Sequence, residues 1–157
     1  MDKQSKNKVN LEWAVLCSQS LVDNQSNNIS LLNVIEQIKF EGEVKDKSKQ
    51  FNTEEGEMIP VSMELVSRFR KLTSPDEVLK LECEVDFIDP NNKKLATFNN
   101  ELLLDTGIQN LRMRFGIAGL KVTKSGLYNF SIKLKNSGSK TYTEVTKVPL
   151  EVILVVK

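Results

Sequence analysis

The sequence predicts an all-β domain: an antiparallel two-layer β-sandwich of about eight or nine strands. Three observations carry that expectation. The first is alternation. Leu79, Leu81, Cys83, Val85 and Phe87 interleave with Lys80, Glu82, Glu84 and Asp86, and Tyr128, Phe130, Ile132 and Leu134 interleave with Asn129, Ser131, Lys133 and Lys135. A period of two places one set on the core side of a strand and the other in water. The second is punctuation. Turn chemistry recurs at 23–28, 72–77, 89–92, 105–107 and 136–139, with no helix-length segment between strands to suggest a parallel sheet. The third is size: a chain of 157 residues buries roughly 70% of its unfolded surface, enough for a core without staples.

Taken in order, residues 1–10 form a polar arm expected to fray, and 11–157 form a single domain. The first strand is expected at about 11–22, with Trp13, Val15 and Cys17 on one face and Ala14 and Leu16 on the other; apolar residues on both faces point to a strand covered from both sides. Residues 29–40 fit a strand or, through Leu31, Leu32, Val34, Ile35 and Ile38, a helical stripe; the asparagine-rich turn before them favours a strand. Residues 41–57 read as a mobile polar loop. The third strand, about 58–71, turns Ile59, Met63, Leu65 and Phe69 inward and Glu64, Arg68 and Arg70 outward. If it forms a hairpin with the fourth, at 78–88, parity pairs Phe69 with Leu81, Leu65 with Val85, Met63 with Phe87 and Arg68 with Glu82. Further strands are expected at about 93–104, 109–116, 127–136 and 140–148, with Gly116, Gly119 and Gly126 interrupting the chain after the sixth. The tail, 149–156, is apolar on both faces, and Pro149, which cannot donate to a ladder, marks a strand start or a free edge.

Composition narrows the chemistry. With 22 basic and 21 acidic residues the net charge is +1, which argues against nucleic acid and against an anionic membrane surface. The absence of histidine removes Ser-His and Cys-His nucleophile pairs, imidazole bases and every histidine-containing metal site. Cys17 and Cys83 lie far apart with no CxxC, so both read as buried free thiols at inward-looking positions. Short apolar runs predict no membrane span, and the polar start predicts a cytoplasmic, reducing location. No cofactor and no enzymatic activity are expected.

Three constellations remain. All four arginines fall in two outward Arg-x-Arg pairs, Arg68/Arg70 and Arg112/Arg114. If their strands are neighbours they make an anion-reading face, because guanidinium binds carboxylate or phosphate in a fork; otherwise they pair with Glu64, Glu82 and Glu84. Asp86, Asp89 and Asn91 cluster at a strand end, where loop oxygens of a C2-like sandwich would take calcium; the alternative is plain turn chemistry. Tyr128, with Gly126 before it and Pro90 in the 89–92 turn, is expected to be structural, its ring packed at a corner and its hydroxyl reaching a backbone group.

The segments 86–90 (Asp-Phe-Ile-Asp-Pro), 111–120 (Leu-Arg-Met-Arg-Phe-Gly-Ile-Ala-Gly-Leu), 126–130 (Gly-Leu-Tyr-Asn-Phe) and 148–152 (Val-Pro-Leu-Glu-Val) resemble a family of small bacterial β-sandwich proteins known as a domain of unknown function. The resemblance spans about 11–156. It implies a bacterial source and a sandwich fold, and no activity. The Gly-x-Tyr-x-Phe piece is similar to the tyrosine corner of immunoglobulin-like domains, although Trp13 precedes both cysteines and the Cys…Trp…Cys order of antibody domains is missing. The expected function is a non-catalytic interaction or scaffold module with a protein partner, or a homodimer through a sheet edge such as the apolar tail. The alternative is a ligand-binding sandwich that holds an anion, a carbohydrate or calcium in its end loops and arginine pairs.

Overall fold

The alternating segments close into two sheets. The computed structural model describes residues 7–42 and 56–156, which hold nine strands and no helix. These are β1 (Val9–Val22), β2 (Ile29–Val34), β3 (Gln37–Gly42), β4 (Glu57–Lys71), β5 (Leu79–Ile88), β6 (Lys94–Leu104), β7 (Asn110–Val122), β8 (Gly126–Asn136) and β9 (Thr143–Val156). One sheet has four strands in the order β2-β1-β4-β7; the other has five, in the order β3-β9-β8-β5-β6. Leu16, Leu65, Phe69 and Met113 of the first face Leu81, Val85, Phe87, Phe130, Ile132 and Leu150 of the second across one core. The protein is an all-β sandwich.

Several expectations are corrected. Residues 7–10 are not a frayed arm: Val9 opens β1 and is buried in the core, and the Lys8 carbonyl accepts the Leu72 N–H. The remainder of the expected arm, 1–6, lies outside the described residues, as does 43–55 of the expected mobile loop. Glu41 and Gly42 belong to β3 and Glu57 to β4, so the connection is shorter than expected.

The single strand read at 29–40 is two strands in different sheets. Asn33 takes a left-handed φ of 49°, and at Ile35 and Glu36 the chain crosses to the other layer. That crossing produces the one departure from an antiparallel sandwich: β3 lies parallel to β9. The two strands are remote in sequence, so no tight turn dictates their relative direction.

β4 and β5 do not pair. They sit in opposite sheets, so Phe69, Leu65 and Met63 meet the core from one layer while Leu81, Val85 and Phe87 meet it from the other. Parity decides which face is inward but not which strand is the neighbour. Lys71 secures the crossing: its buried ammonium donates to the carbonyls of Pro75 (3.3 Å), Glu77 (2.6 Å) and Asp105 (3.1 Å), so the charge is fully hydrogen-bonded at the foot of the core.

β7 continues through Gly116 and Gly119; at Gly119 a Cβ would stand only 3.0 Å from the Met58 sulfur of β4, so glycine suits the close approach there. The expected eighth strand and tail are one strand, β9, with Pro149 inside it. Proline is tolerated there because β3 pairs with β9 only from Glu151 onward, leaving that side of Pro149 without a ladder. Around Glu151 and Val152 the tail is therefore central, flanked by β3 and β8, and offers no edge to a second copy.

Candidate functional site

The two arginine pairs come together. β4 and β7 are neighbours, with Arg68 directly opposite Arg112 and Val66 opposite Arg114, while Trp13 of β1 lies opposite Arg68 on its other side. Leu65, Phe69 and Met113 point into the core, so all four guanidiniums stand on the outer face of the four-stranded sheet. Like charges directly opposite are destabilising, and the chain answers with two carboxylates. The register of β1 slips between Leu11 and Trp13, and the extra residue of that bulge is Glu12. Its carboxylate reaches Arg68 Nε at 3.2 Å and Arg70 Nη1 at 3.7 Å. Glu64 sits 3.5 Å from Arg114 Nη2. The expected partners Glu82 and Glu84 are elsewhere, on the other sheet, with Lys135 at 2.6 Å and Lys94 at 3.7 Å respectively.

Arg112 behaves differently. Its Nη2 donates to the backbone carbonyl of Asn27 and, at 2.7 Å, to the Asn27 Oδ1. In a straight β1 the turn that begins at Asp23 would stand about 33 Å beyond Trp13, at 3.3 Å per residue, far outside the reach of Arg112, which lies level with Trp13 across β4. The hairpin of β1 and β2 must therefore fold back over the outer face. Three further observations agree. The buried Ser20 donates its hydroxyl to Glu64; Cys17 and Val66, both on the outward parity, are fully buried; and Ile29 joins Trp13 in lining one concavity. Apolar residues thus stand on both faces of β1: Leu16 packs into the core, while on the outer parity Cys17 is buried and Val15 half-buried. Cys17 is not an inward residue of the core, whereas Cys83 is.

Under the hairpin tip lies an open concavity of about 510 Å³, lined by Trp13, Asn27, Asn28, Arg68, Asn110 and Arg112 among others. The Ser20 hydroxyl holds the Glu64 carboxyl below the usual carboxylate range; burial opposes it and the Arg114 charge assists. Burial, then the Glu64 charge, push the Cys17 thiol up, and burial with the Glu84 charge pushes Cys83 up to about 12. Neither thiol is a ready nucleophile. Sequence reasoning missed Glu12, Trp13 and Asn27 as members of this surface. Trp13 had a signal, since its parity opposes Leu16; Asn27 had none, because only the fold-back brings it to Arg112.

Asp86, Asp89 and Asn91 do not converge on a cation position. Asp86 points to the outer face of the five-stranded sheet, fully buried by Lys133 Nζ (2.5 Å), Lys94 Nζ (3.2 Å) and Thr97 Oγ1 (2.8 Å). Burial pushes its carboxyl up, but the hydrogen bonds from Lys133, Thr97 and Lys94 outweigh that and hold it below its ordinary value. Asp89 closes its own turn: Oδ1 accepts the N–H groups of Asn91 and Lys93, each at 2.8 Å, and Oδ2 accepts the Thr123 hydroxyl at 3.2 Å. Asn91 Oδ1 accepts from Lys124 Nζ at 2.7 Å. In this structure these oxygens are taken up by protein donors.

Tyr128, Gly126 and Pro90 do meet. The Tyr128 hydroxyl accepts the N–H groups of Thr123 (2.9 Å) and Lys124 (3.1 Å) and donates to the Lys124 carbonyl (2.7 Å). Gly126 has φ 147°, and a Cβ there would stand 2.8 Å from Pro90 Cγ. The three lock the β7–β8 and β5–β6 connections together.

No family model and no curated protein match the chain. Among solved structures it is similar to one titled "Structure of the N-terminal domain of PorA", at 8% identity, covering 90% of this chain and 97% of that one with a TM-score of 0.27. A likeness that weak carries no argument about fold or function.

Proposed function

We propose that the chain is a non-catalytic interaction module that binds a protein partner on the outer face of its four-stranded sheet. One observation carries the reading: among the described residues, the four guanidiniums of that face have two carboxylate partners, Glu12 and Glu64, and Arg112 is turned to uncharged oxygens. The outer face of the five-stranded sheet contrasts with it. There Lys133 and Lys94 meet Asp86, Lys135 meets Glu82 and Lys80 meets Glu101, so these cations are paired within the chain. Arginine is suited to such a surface because its weakly hydrated fork gives up water readily at an interface. A chain without histidine, with both thiols pushed up, supports recognition rather than turnover.

The test is capture from the native cell with wild type and with the Arg68→Glu/Arg112→Glu double variant. A specific partner lost by the variant, at an unchanged melting temperature, supports the reading; the same partners captured equally by both overturn it. A second reading, self-association at a sheet edge, draws on β2. It is an edge strand carrying the exposed Leu32 and Val34, with exposed Leu21 beside them on β1. Light scattering that stays at the monomer mass over a hundred-fold concentration range removes it.

A further inference from the structure

We infer that the concavity under the β1–β2 hairpin is a carboxylate pocket for an acidic segment of a partner polypeptide, and that Asn27 caps it in the free protein. This rests on the surface proposed above and names what that surface reads.

Arg112 Nη2 holds two oxygens of one residue, the carbonyl and the Oδ1 of Asn27, with that residue in a left-handed backbone at φ 57°. What occupies the guanidinium is thus already a piece of polypeptide, and its side chain has the shape of aspartate without the charge. The carboxylate of an aspartate or glutamate from a partner offers two oxygens that share a full negative charge, and such charge-assisted bonds are about twice as strong as neutral ones. Directly opposite, Arg68 shares its one carboxylate, Glu12, with Arg70. An entering carboxylate therefore meets two guanidiniums that are together under-neutralised. Trp13 supplies an apolar wall, and Asn28 and Asn110 supply amides suited to a guest's peptide groups.

The cap is built to leave as a unit. Residues 23–28 are exposed and tied to one another, with Asn27 also held by Arg112: the Asp23 carboxylate accepts from Gln25 N–H and Ser26 Oγ, and the Asp23 carbonyl accepts from Asn27 N–H. Asn27 competes from within the chain, so its pairing strength sets the apparent affinity for any guest.

Trp13 is the only tryptophan and lines the pocket, so its fluorescence reports occupancy. A blocked peptide of alternating Asp and Ala is titrated into wild type, Asn27→Asp, Asn27→Gly and Arg112→Gln, each first checked by thermal melt. Parallel titrations use the Asn-Ala peptide, oligogalacturonate and inorganic phosphate. The expected result is a saturable change with the Asp peptide and none with the Asn peptide. Arg112→Gln should weaken binding at least tenfold. Asn27→Asp, which charges the cap, should weaken it severalfold, while Asn27→Gly, which keeps the left-handed backbone and removes Oδ1, should tighten it. Three results overturn the inference: Asn27→Asp and Asn27→Gly binding alike, Arg112→Gln binding as wild type, or oligogalacturonate or phosphate binding more tightly than the peptide. If the double arginine variant loses its cellular partner while no acidic peptide binds, the surface stands and the carboxylate pocket falls. If partners and peptide are both indifferent to the arginines, both fall.

Discussion

Tyr128→Phe removes a single oxygen from the closed end of the sandwich and leaves everything apolar in place. The ring is fully buried and stacks on Phe87 at 5.2 Å between centroids, a contact that phenylalanine keeps. What is lost is the partner of three backbone groups, the N–H of Thr123 and the N–H and carbonyl of Lys124, and a 3.3 Å contact with the Thr123 hydroxyl, which keeps Asp89 Oδ2. A net intramolecular hydrogen bond is worth about 0.5–1.5 kcal/mol, so three sum to roughly 1.5–4.5. Lys124 is only partly buried and recovers some solvation from water, which sets the expected loss at about 2–3 kcal/mol. For a chain of this size each kcal/mol lowers the melting point by about 2–4 °C, giving a drop of roughly 4–12 °C. The measurement is urea denaturation followed by circular dichroism, with the slope against urea unchanged because the surface exposed on unfolding is the same. A loss below about 0.5 kcal/mol would show that water replaces the hydroxyl at no cost and that the corner is packing alone.

Three further outcomes follow from the same structure. Gly126→Ala places a methyl group 2.8 Å from Pro90 Cγ in a backbone region that suits glycine, and should cost about 2–3 kcal/mol; adding Pro90→Ala should recover part of it in a double-mutant cycle, and strict additivity would refute the contact. Asp86 is held below its ordinary 3.8, so its stabilisation is complete above that pH and fades as pH falls through the lower folded value; Lys133, held above 10.5 chiefly by its hydrogen bond to Asp86, loses its contribution only as pH rises through its higher folded value. Asp86→Asn should therefore cost roughly 1–3 kcal/mol at neutral pH and flatten the loss of stability below about pH 4, and a parallel acid limb in wild type and variant would count against the pairing. Both cysteines are buried with raised thiols, so a thiol reagent at neutral pH should label neither until denaturant is added; rapid native labelling of Cys17 would mean that the hairpin does not stay closed over the sheet.

What was legible in the sequence was whatever depends on local periodicity. Alternation at Leu79–Ile88 and Gly126–Asn136 places each inward side chain correctly, because in an extended chain the direction of a side chain follows from its own position and nothing else. The tyrosine at the start of β8 was legible for a similar reason: its bonds reach only four or five residues back. The charge of the arginine face was legible in part, since parity alone turned Arg68, Arg70, Arg112 and Arg114 outward.

Which strands are neighbours was decided only by the tertiary structure. Alternation is the same whether β4 pairs with β5 or faces it across the core, so the choice falls to the connection anchored by Lys71 and to the fit of Phe69 against the opposite layer. The crossing after Asn33, the parallel approach of β3 to β9 and the folding back of the first hairpin onto its own sheet are likewise written in no local period. They depend on contacts between residues far apart in sequence: Gln37 with Glu151 where β3 meets β9, and Asn27 with Arg112, 85 positions away, from which the proposed pocket arises.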